Sequence, residues 1–326
     1  MVVSAQHLAS EAGADVLRAG GNAVDAAVAV GYALAVVDPC CGNIGGGGFM
    51  TAHLADGRTI FLNFREKAPA GATAALFLDA KGEAARDRSL FGWRAVGVPG
   101  TVLGLDTALT RYGTLPRARV MAAAIRLARE GYVLQPSEAL MFARFAPLLA
   151  RDPVAAHVFL HPDGTPLKAG ERLVQPALAA TLEAIATHGP DAFYHGAIPA
   201  AVAAAAQAGG GVITAADFAA YTVTESPPLR CSYRGWVFLS APPPSSGGAT
   251  LCEILNVLEP YDLHRMGFHA AQTVHVMVEA MRQAYFDRNH VLGDPDFVHN
   301  PLDRLLSKDY AAGIRAQICP RATPSP

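Results

Sequence analysis

Apolar residues in the first forty positions recur at helical spacing. Leu8, Ala12, Val16 and Leu17 mark one face, and Gly20-Gly21 supplies a stop. Asn22 then stands where an N-cap belongs, with Asp25 three residues on in the manner of a capping box. The run Ala26 to Val37 is apolar on every side, which predicts a helix enclosed by protein. After Gly45 to Gly48 the period changes. Phe49 to Leu54 and Thr59 to Arg65 flank Asp56-Gly57 and read as a β-hairpin. In the second strand Ile60, Leu62 and Phe64 share one face, and Thr59, Phe61, Asn63 and Arg65 share the other. Arg65 therefore ends a strand on its more polar side.

Helical spacing then returns. Gly97-Val98-Pro99-Gly100 leads into a helix from Thr101 to Tyr112, stopped at Gly113, and another follows Pro116 through Val120, Ala124, Leu127 and Ala128. A further helix runs from Pro176 to His188. Thr214 with Asp217 marks another capped start, and Tyr233 to Leu239 reads as a strand. Pro242 to Gly248 interrupts regular structure before a helix from Thr250 to Leu258. The longest helical pattern, Ala271 to Arg288, carries Val274, Met277, Met281 and Tyr285 on one face. Helices dominate and strands come in hairpins, so the expected class is α+β rather than a doubly wound sheet. There is no internal repeat and no convincing domain linker, while length alone suggests about two domains or one large sandwich. Pro320 to Pro326 has the composition of a mobile tail.

Composition narrows the function. Charged residues make up 17% of the chain, below the roughly 25% usual in soluble domains, so a large core is expected. The net charge of -2, with basic residues scattered, gives no footprint for nucleic acid or an anionic membrane. The longest apolar run falls short of the roughly 20 residues a membrane helix needs. The sequence does not open with a basic segment and an apolar stretch, so no signal peptide is expected in it. Five cysteines without a Cys-x-x-Cys pair suggest neither a disulfide framework nor a zinc site, and they read as small buried thiols.

Candidate chemistry is sparse. The glycine run could cradle a phosphate, but no Gly-Lys-Ser/Thr follows and the loop enters a strand, which favours close backbone packing. His157 and His161 have the spacing of a helical zinc pair, yet Pro162-Asp163-Gly164 marks a turn directly after them. Ser245-Ser246 follows three prolines and reads as a rigid turn, not as a nucleophile. Asp287, Asp294 and Asp296 lack the alternation of a cation loop and read as solvated acids or helix-end contacts. Arg65 is open to two readings. Its guanidinium could grip a carboxylate through two parallel hydrogen bonds, or it could form a surface pair with Glu66.

Several segments together resemble the gamma-glutamyltransferase family. They are Gly20 to Ala27, Gly42 to Met50, Phe64-Arg65-Glu66 with Ala68-Pro69, Val98 to Val102, Arg111-Tyr112-Gly113, Pro242 to Gly248 and Leu292 to Phe297. They occur in the family's order and cover essentially the whole chain. The resemblance implies an N-terminal-nucleophile αββα sandwich, formed jointly by a large and a small subunit cut from one precursor. This chain, residues 1–326, would be the large subunit, one domain shared with the small subunit. The catalytic threonine would lie on the small subunit, where it begins a Thr-Thr-His stretch absent here; Thr323 lacks that context. Arg65 would hold the substrate's α-carboxylate, and Glu66 would orient it. The implied donors are glutathione and other gamma-glutamyl compounds, and the acceptors are water, amino acids or peptides. The resemblance implies neither metal nor cofactor, and it points to a periplasmic or secreted enzyme. The alternatives are a cephalosporin acylase acting on a glutaryl group, and a binding protein that kept the fold.

Overall fold

The computed structural model describes residues 1–323. Helix accounts for 52% and strand for 11%, so the expected α+β class holds. The chain divides into two compact units: Met1–Gly48 with Asn63–Thr224, and Phe49–Leu62 with the chain from Glu225 onward.

In the first unit the Ala23–Val37 helix packs on three others, His7–Arg18, Thr101–Tyr112 and Arg117–Glu130. Val28, Ala29, Tyr32, Ala33, Val36 and Val37 are buried around it, as an all-apolar helix requires. Its start is a capping box. The Asn22 side chain accepts from the Val24 and Asp25 amides, and Asp25 accepts from the Asn22 amide. The His7–Arg18 helix buries Ala9, Ala12, Gly13 and Val16, a face rotated slightly from the expected one. Small residues win that face because the helices approach closely: a Cβ on Gly13 would come within 2.6 Å of Val30 Cγ2.

Gly48–His53, Thr59–Phe64 and Thr224–Ser226 form one sheet, with Thr59–Phe64 in the middle. The central strand is covered on both sides. Ile60, Phe61, Leu62 and Phe64 are all buried, so the expected division into polar and apolar faces survives only at Thr59 and Asn63.

The second unit centres on Gly247–Leu258, Ala271–Val291 and Lys308–Gln317, with Val257, Leu258, Val276, Ala280, Ala311 and Ile314 in its core. Three expectations change here. The strand foreseen at Tyr233 to Leu239 is the tip of a hairpin, Leu229–Tyr233 paired antiparallel with Trp236–Ser240. Arg234 and Gly235 take φ of 49° and 85°, the two consecutive left-handed residues that a tight hairpin turn demands. Next, Cys231 and Cys252 form a disulfide, with 6.0 Å between their Cα atoms, and Cys40, Cys41 and Cys319 are exposed instead of buried. Finally, the apolar stripe Val274, Met277, Met281 and Tyr285 is exposed, while Thr273, Val276, Glu279, Ala280, Ala284 and Asp287 form the buried side of that helix. No described helix is long and apolar enough to cross a membrane.

Candidate functional site

Arg65 lies one residue beyond the central strand, with its side chain exposed. Its main chain has little freedom. The Arg65 amide donates to Asn63 Oδ1 at 3.0 Å, and its carbonyl accepts from the Tyr221 hydroxyl at 2.8 Å. Two residues on, Lys67 and Val98 exchange backbone hydrogen bonds of 3.2 and 2.7 Å. The Ala70 amide then donates to Asp217 Oδ1 at 2.8 Å.

The glycine loop closes over the same segment. A Cβ on Gly47 would lie 2.5 Å from the Phe64 oxygen, 2.6 Å from the Glu66 nitrogen and 2.9 Å from the Arg65 carbonyl carbon. The Gly46 oxygen accepts from the Gly100 and Thr101 amides at 2.7 and 3.0 Å, at the start of the Thr101–Tyr112 helix. Those amides are the donors that an anion at this helix start would need, and a carbonyl already occupies them. The close-packing reading of the glycines is therefore the one the geometry supports.

Gly100 completes the cradle. A Cβ there would overlap the Phe64 carbonyl oxygen and the Tyr221 hydroxyl. Tyr221 is 6% exposed and stacks on Tyr194 at 5.8 Å between centroids, with 14° between planes. Tyr194 donates its hydroxyl to the Pro99 oxygen at 2.9 Å. Burial pushes the Tyr221 hydroxyl above its usual range, with Tyr194 and Glu66 adding to the effect, so it stays a proton donor at neutral pH. Nothing in the sequence marked Tyr221, Tyr194 or Asp217 as belonging with Arg65. Only the capping signature at Thr214 and Asp217 was visible, and the helix it opens, Ala215–Ala219, precedes Tyr221.

The other candidates fall away from catalysis. The Pro153–Phe159 helix ends before His161, whose Nε2 instead meets Glu171 Oε2 at 3.0 Å, so His157 and His161 do not share a helix face. Ser246 lies at the start of the Gly247–Leu258 helix and accepts from Arg288 Nε at 2.8 Å. Asp294 and Asp296 are exposed, as expected. Asp287 is not: it is 4% exposed and accepts from the Tyr310 hydroxyl at 2.8 Å and Gln283 Nε2 at 3.0 Å. Glu253 lies beside it, 2% exposed, and burial together with the Asp287 carboxylate pushes its carboxyl up to about 8. This acidic pair belongs to the core of the second unit.

Asp38, Cys40 and Cys41 bring three donor atoms within 4.8 Å of one another on an exposed turn. Desolvation and hydrogen bonds to Cys41 and Asp38 push the Cys40 thiol up to about 12, so a cation would have to displace a firmly held proton. The cluster also supplies one donor too few for a closed tetrahedral zinc shell.

Comparison with known proteins assigns the chain to one family. The sequence profile described as Gamma-glutamyltranspeptidase matches residues 9–326. A glutathione hydrolase proenzyme of Pseudomonas sp. (strain A14) is 53% identical over 321 residues, covering 98% of this chain and 56% of the relative. The acylase ACY 1 proenzyme of Pseudomonas sp. (strain SE83) is 43% identical over 324 residues, covering 98% and 58%. The crystal structure of Helicobacter pylori gamma-glutamyltranspeptidase superposes with a TM-score of 0.98 at 43% identity, covering 100% of this chain and 93% of that one. The chain thus spans little more than half the length of the curated relatives it matches.

Proposed function

Since the chain belongs to the gamma-glutamyltranspeptidase family and has its N-terminal-nucleophile hydrolase fold, we propose that it is the large subunit of a gamma-glutamyltransferase. Residues 1–326 act as one subunit, and a small subunit from the same precursor supplies the catalytic threonine. The threonine hydroxyl, activated by its own α-amino group, attacks the gamma-glutamyl amide of glutathione or a similar donor. The amine leaves, and water or an acceptor amino acid or peptide resolves the acyl-enzyme. No step calls on a metal or cofactor.

The contribution of this chain is Arg65. The observation that carries the reading is an exposed arginine whose main chain is held fixed just beyond a buried strand. Such a fork holds the donor's α-carboxylate in one orientation while the distant amide reacts. Glu66 serves to orient it. The exposed stripe on the Ala271–Val291 helix supports a partner chain, because apolar side chains 41 to 50% exposed along one helix face are usual at a subunit contact. The Cys231–Cys252 disulfide supports an exported protein, since such bonds persist in oxidising compartments.

Arg65→Ala in the full-length precursor tests the clamp. Losing one partner of a desolvated charge pair costs about 2–5 kcal/mol, so the donor KM should rise at least about thirtyfold while self-cleavage continues. Unchanged donor kinetics would refute the assignment. The acylase relative keeps a second reading in play, hydrolysis of a glutaryl amide. Glutaryl has the carboxylate but lacks the α-amino group, so turnover of paired glutaryl and gamma-glutamyl anilides separates the two. A protein that yields no second chain beginning with threonine, and turns over neither substrate, would be a binding protein.

A further inference from the structure

We infer that Tyr221 is a positioning residue for Arg65, and that the Ala215–Ala219 helix with Tyr221 forms a bracket that aims the guanidinium. The bracket holds the Arg65–Ala70 segment at both ends. Tyr221 donates to the Arg65 carbonyl at 2.8 Å, and Asp217 accepts from the Ala70 amide at 2.8 Å. Asp217 is itself fixed by the capping box, in which its Oδ2 accepts from the Thr214 amide and hydroxyl, both at 2.7 Å.

Behind the bracket stands an aromatic cluster. Tyr194 stacks on Tyr221, and Phe218 packs against both Phe193 and Tyr194 at 6.2 and 6.4 Å between centroids. The phenol therefore cannot swing away, and glycine at position 100 leaves room for its hydroxyl. Main-chain placement matters because a long side chain magnifies any rotation at its root. A carbonyl released from Tyr221 lets the Arg65 peptide plane turn, and the guanidinium then samples more orientations before it meets a carboxylate.

The inference rests on the carboxylate-clamp reading of Arg65, and the experiment separates the two. Tyr221→Phe keeps the stacked ring and removes only the donor. It is made in the full-length precursor, alone and combined with Arg65→Ala, and self-cleavage and thermal unfolding are checked for each protein. Donor kinetics are measured with a gamma-glutamyl anilide and with a 4-aminobutyryl anilide, which keeps the amino group and lacks the carboxylate.

Tyr221→Phe should raise the gamma-glutamyl KM about fivefold, the worth of one neutral hydrogen bond, with kcat nearly unchanged. The 4-aminobutyryl donor should not feel the change. In the Arg65→Ala background the second substitution should add nothing. Equal losses with both donors, or additive losses in the double variant, would reduce Tyr221 to a general structural role and overturn the inference. An Arg65→Ala protein with normal KM would instead sink the clamp itself. If Tyr221→Phe fails to mature, Asp217→Asn probes the other end of the bracket by the same split between donors.

Discussion

Asp25 offers the sharpest test of whether the family's glycine–asparagine motif near the N-terminus is structural or catalytic. Its carboxylate is 0% exposed and receives four donors: the Asn22 amide at 2.8 Å, the Thr114 hydroxyl at 2.7 Å, the Thr114 amide at 2.9 Å and the Leu115 amide at 3.1 Å. It thus joins the start of the Ala23–Val37 helix to the turn that follows Tyr112. Burial works against the charge, but the Thr114 hydroxyl and the three amides outweigh it and hold the carboxyl below the usual range.

Asp25→Asn keeps the shape and removes the charge. Whichever way the new amide turns, its nitrogen faces a backbone N–H, Asn22 on one side or Thr114 and Leu115 on the other. At least one hydrogen bond is lost and the rest lose their ionic assistance. At about 1.5–3 kcal/mol for each bond to a charge, the net loss is about 2–4 kcal/mol. Urea unfolding of the self-cleaved protein at several pH values reads it. The native carboxyl is depressed, so its stabilisation is present above the unfolded value of about 3.9 and is lost as pH falls through the native one. Wild type and variant should differ at pH 7 and converge well below pH 4, while the donor KM stays the same. Equal midpoints at pH 7, or a gap indifferent to pH, would refute the argument. A raised KM would instead argue for a role of the motif in donor binding.

Replacing Cys231 and Cys252 together with serine should lower stability by about 3 kcal/mol, since the bond closes a loop across a separation of 21 residues. Wild type should lose a similar amount when unfolded under reducing conditions, and the variant should lose nothing more. For Glu253, whose native carboxyl is raised to about 8, the sign is opposite to that of Asp25. Its stabilisation is intact below the unfolded value of about 4.3 and is lost as pH rises toward 8. Glu253→Gln should therefore unfold at higher urea than wild type at pH 9 and lose the advantage near pH 5; an advantage unaffected by pH would contradict the buried acidic pair.

Local rules carried much of the fold into the sequence. The Thr101–Tyr112 and Pro176–His188 helices begin and end where their prolines and glycines place them, and the boxes at Asn22 and Thr214 are capped as read. These signals are short in range, so the chain displays them directly. Long-range facts were hidden. The Cys231–Cys252 bond depends on a hairpin turning back on a helix, and its turn was missed because Arg234 is an unusual residue for positive φ. The stripe on the Ala271–Val291 helix has the right period, but period alone cannot say which side a neighbour covers. Here the inward side carries Glu279 and Asp287, which pair with polar groups that no hydrophobic pattern reveals. Thr323 donates its amide to Glu279 at 2.8 Å; residues 324–326 of the expected tail lie outside the described residues.

The candidate site shows the same division. Three stretches that looked unrelated, the glycines at 45 to 48, the Arg65 segment and Val98 to Thr101, meet in one cradle. Gly47 and Gly100 lack a Cβ where the Phe64–Glu66 main chain passes, and Gly48 lacks one against the Phe64 ring, which is why the loop resembles an anion site in sequence while a carbonyl occupies its helix start. The cradle carries an exposed guanidinium, and a surface arginine by itself has no selectivity. Its selectivity would come from the roots: with amide, carbonyl and flanking peptides all fixed, less orientational freedom remains to be lost when a carboxylate arrives. Substitutions that loosen the cradle without touching the guanidinium should therefore weaken donor binding in proportion to the freedom they restore, while self-cleavage, which involves no free α-carboxylate, continues.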